Sequence, residues 1–214
     1  VGTLAVRTDA SRPAGSASVY APDSAGAWLT GGATNAWARA WLERELRSRA
    51  DSTRGTNPPT WLTRAYGRRI VPAPAVSLPA PSATLVRDSV ARDGRMVTLL
   101  VRPPGGRSVH LSAEAGVVQW SRVDDRDVRT DRYRSRSQRW ALEYVSPSDS
   151  GFTVTLSMFP GSEHAVSLIA RHVGFPAGVQ VPTRPAGIIP IGSGDATHVH
   201  RLMRLSAQKS RPTD

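Results

Sequence analysis

The second half of the chain is a succession of short segments in which apolar and polar side chains alternate, and this pattern constrains the fold more than any other feature. In residues 151–159, two threonines and a serine alternate with Phe152, Val154, Leu156 and Met158. Because successive side chains of a strand point to opposite faces, such a segment predicts a half-buried strand. Similar patterns predict strands at residues 83–91, 96–102, 108–114, 117–123, 140–145, 165–173 and 198–205.

These predicted strands follow one another with turn residues and no helical pattern between them. Asp93-Gly94 is a hairpin signal between two of them, because both residues tolerate the positive φ angles of tight turns. Strands at this spacing indicate an antiparallel arrangement and not alternating strands and helices. We therefore predict a mostly β fold, an antiparallel β-sandwich with one amphipathic helix and a Pro-rich connector.

The first 82 residues predict three short strands, at residues 3–7, 16–20 and 25–30, and one amphipathic helix at residues 34–49. Thr34 or Asn35 can cap the helix, because either side chain can accept a hydrogen bond from a free backbone N–H group. The apolar residues of the helix form one arc: Trp37, Ala38, Trp41, Leu42 and Leu46. This arc predicts that the helix packs against the rest of the fold.

The domain organisation follows from chain length and proline content. Pro72, Pro74, Pro79 and Pro81 lack a backbone donor, so they predict an extended connector outside the central strands. A sandwich of about 200 residues commonly forms one unit. We expect residues 1–82 to pack on a sandwich core at residues 83–206, followed by a disordered tail at residues 207–214.

Composition excludes several classes of site. The chain has no cysteine, which excludes disulfides, thiolate zinc sites and cysteine nucleophiles. The sequence starts at Val1, shows no basic and apolar leader, and has no run of about 18 apolar residues. We therefore expect a piece of a longer protein, with any export signal or membrane span upstream.

The net charge of +11 suggests anionic partners, because a basic field attracts nucleic acid and anionic membrane surfaces. All but one of the 28 basic residues are arginine, and they are scattered along the chain. The densest run, residues 126–139, is interrupted by Asp127 and Asp131. This scatter favours solubilising charge over nucleic-acid binding, while a surface for nucleic acid or anionic lipid remains an alternative.

The strongest candidate metal ligands are His198 and His200, with Asp195 just upstream. Residues i and i+2 of a strand point the same way, so both imidazoles could reach one metal ion. An edge-strand pair that faces water is the favoured interpretation of the two histidines. We assign no metal, cofactor or catalytic residue to the chain, since no third ligand is fixed by spacing.

Two polar clusters are explained more simply by loop and turn structure than by metal binding or catalysis. Asp124, Asp125, Asp127 and Asp131 could bind calcium, but they lack the central glycine and terminal glutamate of an EF-hand loop. A solvated loop is the favoured interpretation. Residues 146–150 contain three serines and one aspartate, and turn chemistry explains them because no base is placed beside a serine by spacing.

A carbohydrate-binding or hydrolase module is a further alternative. Five of the six tryptophans fall in helix or strand patterns that predict core positions: Trp28, Trp37, Trp41, Trp120 and Trp140. The five glutamates are too far apart in the sequence to nominate a catalytic pair: Glu43, Glu45, Glu114, Glu143 and Glu163.

The order of several short motifs resembles the C-terminal domain of membrane-bound zinc exopeptidases of the aminopeptidase Y family, which includes the vacuolar membrane protease and the endoplasmic-reticulum metallopeptidase. In the first half the motifs are SASVY (16–20), APDS (21–24), AGAWLT (25–30), NAW (35–37) and WL (41–42). In the second half they are RWALEY (139–144), GFTVTL (151–156), GFP (174–176), RP (184–185), IP (189–190) and DAT (195–197). The resemblance covers about residues 13–205.

The resemblance implies a non-catalytic accessory domain, periplasmic or lumenal, tethered to a membrane through its parent protein. Its partners would be the peptidase domain and transmembrane region of that parent, and its basic surface could also contact anionic lipid. The zinc ions would be bound by an upstream peptidase domain through a His-x-Asp motif and a Glu-Glu pair among other ligands. Neither motif occurs in this sequence, so no catalytic residue is carried over.

Overall fold

The structure is a computed structural model that describes residues 14–23, 26–31, 36–48, 57–66, 70–91, 94–128, 139–159 and 164–206. These residues are mostly β, with two mostly antiparallel sheets and two helices, α1 (Ala36–Ser48) and α2 (Thr60–Tyr66). The strands are β1 (Ala14–Asp23), β2 (Gly26–Gly31), β3 (Ile70–Ala73), β4 (Ser82–Ala91), β5 (Gly94–Arg102), β6 (Ser108–Ala113), β7 (Val118–Val123), β8 (Arg126–Asp127), β9 (Trp140–Val145), β10 (Phe152–Met158), β11 (His164–Val173) and β12 (Ile188–Leu205). The predicted fold class is confirmed.

The chain divides into two compact units, which we describe separately. The first unit contains residues 1–78 and 172–198, and the second contains residues 79–171 and 199–214. This division differs from the expected one, because residues 172–198 join the first unit instead of the 83–206 core. The physical reason is a long-range pairing that local periodicity does not show: residues 14–20 of β1 pair in parallel with residues 188–197 of β12. The predicted strand 3–7 and the predicted tail 207–214 lie outside the described residues.

In the first unit, the hydrogen-bonded strand order is β3-β2-β1-β12. Its core contains Tyr20, Leu29 and Val71 from the sheet and Trp41 and Leu42 from α1. The Pro-rich segment is held against this core by the Tyr20 hydroxyl, which donates to the carbonyl of Pro74 and accepts from the N–H of Val76, each at 2.9 Å. Pro72 lies in β3, at the end of this strand order, where a missing backbone donor is tolerated.

The helices of the first unit match the prediction in part. In α1 the predicted arc buries Ala38, Trp41 and Leu42, but Leu46 is 49% exposed. The period shows which side of a helix is apolar, and it does not show how far the partner surface extends along the helix. Helix α2 was not predicted, because its seven residues are too few to show a period. Its Leu62 is fully buried in a small cluster with Ala21 and Trp28.

The second unit is a β-sandwich. One sheet has the strand order β4-β5-β10-β7-β8, and the other has the order β12-β11-β6-β9. Between them lies the largest core cluster, which includes Leu99 of β5, Leu156 of β10, Leu111 of β6 and Leu168 of β11. Each such side chain, fully removed from water, contributes about 1.5–3 kcal/mol to folding.

Most predicted strands of the second unit are found within about two residues of their expected ends. The alternation in β10 is as predicted, since Phe152, Val154, Leu156 and Met158 are all buried and the residues between them are not. The last strand is longer than expected, because β12 begins at Ile188 and the predicted strand began at residue 198. The predicted hairpin is present, but Gly94 pairs with Ala91 and begins β5, so it is not one of the two turn residues that the Asp93-Gly94 signal predicted. Asp93 lies outside the described residues.

Candidate functional site

Motif residues that are far apart in the sequence meet in the first unit, in a set of contacts that we call the Arg184 cluster (Trp37, Gly174, Arg184, Asp195 and Thr197). Arg184 Nη2 lies 2.6 Å from Asp195 Oδ1, and both side chains are largely buried. The Arg184 guanidinium also lies 5.2 Å from the centroid of the Trp37 ring, within the range of a cation–π contact. The ion pair therefore links α1, β12 and the segment that precedes β12.

Two hydrogen bonds to the backbone of Gly174 complete the Arg184 cluster. The Asp195 carbonyl accepts from the N–H of Gly174 at 2.7 Å, and the Thr197 hydroxyl donates to the carbonyl of Gly174 at 2.8 Å. Gly174 has a φ of +80°, which favours glycine. These contacts fix the turn that follows β11, so the polar groups of the cluster hold the backbone in place.

The predicted metal-ligand candidates have other partners in the structure. Asp195 binds Arg184, and His200 Nε2 lies 3.0 Å from Ser167 Oγ on β11. His198 is buried, with 6% of its surface exposed. Within the described parts of the chain, no group of three or more histidine, aspartate or glutamate residues is placed to hold a metal ion.

The acidic and serine clusters take structural roles where they are described. Asp124 Oδ1 accepts from the N–H and the hydroxyl of Thr153, and Asp127 pairs with Arg122 at 2.9 Å. Asp125 is exposed, and Asp131 lies outside the described residues.

Between β9 and β10, Ser148 and Ser150 contact each other at 2.8 Å. Asp149 Oδ1 accepts from the N–H of Gly105 at 3.1 Å. These contacts are typical of turns, as expected.

The tryptophans are placed partly as predicted. Trp28, Trp41 and Trp140 are buried, whereas Trp37 and Trp120 are only partly buried. Trp120 lies on β7 opposite Ser157 of β10, and the Arg122 guanidinium lies 5.8 Å from its ring centroid. This arginine–tryptophan pair belongs to the second unit, and the pair formed by Arg184 and Trp37 belongs to the first.

A group of ionisable and hydroxyl side chains lies on the outer face of the sheet β12-β11-β6-β9 in the second unit. We call it the His110 face and define it by Ser108, His110, Ser112, Glu143, Ser167 and Arg171. The intervening residues of the three strands, such as Leu111 and Leu168, belong to the core cluster. Because side chains alternate along a strand, the residues of the His110 face point away from that core.

The strand register determines which of these side chains are neighbours. His110 of β6 lies directly opposite Glu143 of β9, and Ser112 of β6 lies opposite Ser167 of β11. The Ser108 hydroxyl donates to Glu143 Oε1 at 3.0 Å, and Arg171 Nη1 lies 3.5 Å from the same oxygen. The Glu143 carboxylate is therefore shared between a hydroxyl and a guanidinium at one end of the face.

The other end of the His110 face carries positive charge. Arg139, the residue before β9, donates from Nη2 to Ser112 Oγ at 3.4 Å. Burial lowers the pKa of His110, the Arg139 charge lowers it further, and the Glu143 carboxylate opposes this change. The lowered pKa favours the neutral form of His110, which presents one N–H donor and one acceptor nitrogen.

The His110 face was not predicted from the sequence. The alternation of Ser108, His110 and Ser112 with buried apolar residues was a usable signal for a polar outer face of β6. It could not identify Glu143 or Ser167 as neighbours, because strand order and register were unknown. The candidate histidines considered from sequence lay on β12, and His200 borders the face through Ser167.

Comparisons with known proteins do not identify this chain. No protein-family model, no curated protein and no solved structure matches it. Among the described residues, no helix is both long enough and apolar enough to cross a membrane.

Proposed function

We propose that this chain is a non-catalytic accessory domain of a membrane-associated zinc-dependent exopeptidase. It would stabilise or orient the peptidase domain of the parent protein, or bind a partner for it. The proposal places the domain outside the cytoplasm, in a periplasm or lumen, and places the zinc ions in an upstream peptidase domain. The transmembrane region of the parent would be a further partner.

The Arg184 cluster is the observation that carries the proposal. Three of the short motifs on which the resemblance rests meet in the first unit, because Arg184 contacts both Trp37, which is distant in the sequence, and Asp195, eleven residues further on. A shared structural role of these motifs predicts such a cluster. Their contacts also support a structural use of the motifs, because Arg184 pairs with Asp195 and the Thr197 hydroxyl binds the backbone of Gly174.

Two measurements test this proposal. The first is the nucleotide sequence that flanks the coding segment: we expect upstream membrane spans, preceded by a domain with the His-x-Asp and Glu-Glu zinc-ligand motifs. A flanking sequence without them contradicts the proposed parent. The second is an assay of the purified chain with aminoacyl p-nitroanilides and added zinc. Turnover that copurifies with the chain would contradict the non-catalytic role.

A further inference from the structure

We propose that the His110 face binds a phosphate monoester group at its positively charged end, at a site that we call the phosphate cradle (Ser112, Arg139, Ser167 and His200). This inference does not depend on the proposed accessory function. It rests on the placement of one guanidinium, two hydroxyls and one imidazole on adjacent strands, all within the second unit.

The donors of the phosphate cradle lie in one row across the sheet. Ser112 and Ser167 are directly opposite each other on β6 and β11, so their side chains are about 5 Å apart. Arg139 contacts the Ser112 hydroxyl from the β9 side, and His200 contacts the Ser167 hydroxyl from the β12 side. Ser112 is only 4% exposed and Ser167 is partly buried. A phosphate would therefore reach the two hydroxyls only where the side chains around Ser112 move aside, and donors from both sides would then meet it.

Charge favours an anion in this row. Arg139 provides a full positive charge, and His110 lies two residues along β6 from Ser112, on the same face. The carboxylate of the face, Glu143, lies opposite His110 and is already bound by Ser108 and Arg171 at the other end. The Arg139 guanidinium thus donates to a neutral hydroxyl, that of Ser112. A phosphate oxygen can take the place of this hydroxyl as the acceptor, or accept from Arg139 in addition to it.

The number of donors favours phosphate over a carboxylate. A phosphate monoester has three strong acceptor oxygens and a charge between −1.5 and −2 at about pH 7. Arginine forms two parallel hydrogen bonds with such a group, and serine hydroxyls supply single donors from the protein side. The same phosphate chemistry is present in a soluble phosphate ester and in the headgroup of phosphatidic acid, and the cradle does not distinguish these sources.

The test is isothermal titration calorimetry of the full chain with inorganic phosphate at low ionic strength, with two variants and one control. We expect one saturable site, about tenfold weaker in Arg139→Gln because a charge-assisted hydrogen bond is lost, and several-fold weaker in Ser112→Ala. The control Arg122→Gln makes the same charge change on the other sheet and should leave the affinity unchanged. Thermal unfolding of each variant verifies that the fold persists.

Two further ligands distinguish the sources of phosphate: glucose 6-phosphate, and phosphatidylcholine vesicles that contain phosphatidic acid. Binding of either ligand that is lost in Arg139→Gln supports the cradle and identifies its source. The proposal is overturned by the absence of saturable phosphate binding in the unaltered chain. It is also overturned if Arg122→Gln weakens binding as much as Arg139→Gln does, because general charge attraction would then be sufficient.

Discussion

Asp88 of β4 and Arg95 of β5 form a buried ion pair at the end of a hairpin, with Arg95 Nη2 2.6 Å from Asp88 Oδ2 and Arg95 Nε 2.9 Å from Asp88 Oδ1. Only 8% of the Arg95 side chain and 10% of the Asp88 side chain are exposed. Arg95 also donates from Nη1 to the carbonyl of Ser206 at 2.8 Å, which holds the chain at the end of β12. One guanidinium thus links the β4–β5 hairpin to the last described residue.

Removal of one partner of this ion pair should lower the free energy of unfolding. We expect Asp88→Asn to lower the free energy of unfolding by about 3 kcal/mol, because the Arg95 charge would remain buried without a counter-ion. The double variant Asp88→Leu/Arg95→Met should lose less than Asp88→Asn, since it leaves no buried charge. Urea denaturation of both variants measures the difference, and equal losses would show that the ion pair is not the source of the effect.

The Asp88 pair also predicts a response to acid. The hydrogen bonds from Arg95 lower the pKa of Asp88 below its usual 3.8, so its stabilising contribution is present above pH 3.8 and is lost as the pH falls through the folded-state value. Unfolding should therefore become easier below about pH 4. Asp88→Asn should remove this part of the pH dependence, as measured by urea midpoints between pH 2 and pH 6. An unchanged acid slope in Asp88→Asn would contradict the prediction.

His110 predicts a pH dependence in a different range. Burial lowers the pKa of His110 below the usual 6.5, against the opposing Glu143 carboxylate and with a smaller contribution from Arg139, so the unfolded chain binds a proton more readily than the folded chain does. Stability should therefore fall as the pH decreases below 6.5 and should level off below the folded-state pKa. His110→Gln should reduce the change of stability with pH in this range. His164→Gln is the control, because His164 lies at the start of β11 and is not part of the His110 face. If stability depended more steeply on pH in His110→Gln than in the unaltered chain, the predicted direction of the His110 pKa shift would be contradicted.

The sequence predicted the elements whose signal is local. Alternation over six to ten residues identified β10 and most of the other strands of the second unit, and the apolar arc identified α1. It did not identify the parallel pairing of β1 with β12, because the two strands are separated by more than 160 residues and parallel register leaves no local signal. Helix α2 was missed because a seven-residue segment has less than two full turns of periodicity.

The candidate sites were harder still to predict from local patterns, because they depend on contacts between distant segments. The sequence placed His198, His200 and Asp195 together on the basis of their spacing, and the structure gives Asp195 and His200 partners from other segments, Arg184 and Ser167. The His110 face requires the register of β6 with β9 and β11, which alternation within β6 cannot supply. Local patterns thus indicate which face of a strand is polar, but not which polar side chains it meets.

Gly151 is required at its position for two separable reasons. Its φ is +92°, and a Cβ atom there would lie 2.3 Å from the Val101 carbonyl oxygen. We expect Gly151→Ala to lower the free energy of unfolding by about 3 kcal/mol through backbone strain and this collision. Gly178 has a φ of +94° with no atom within 4 Å of an added Cβ, so Gly178→Ala should lose only about 1 kcal/mol. Chemical denaturation of both variants measures the difference, and a similar loss in both would remove the collision as a cause.

The two arginine–tryptophan pairs provide a matched test of the Arg184 cluster. In Arg184→Lys the positive charge remains, but the planar contact with Trp37 and the geometry of the pair with Asp195 are lost. We expect a loss of about 1–2 kcal/mol, because this guanidinium is largely buried. Arg122→Lys, beside Trp120 and 42% exposed, should lose less than about 0.5 kcal/mol. Urea unfolding followed by tryptophan fluorescence measures both variants, and equal losses would show that the Arg184 cluster contributes no more than a surface pair.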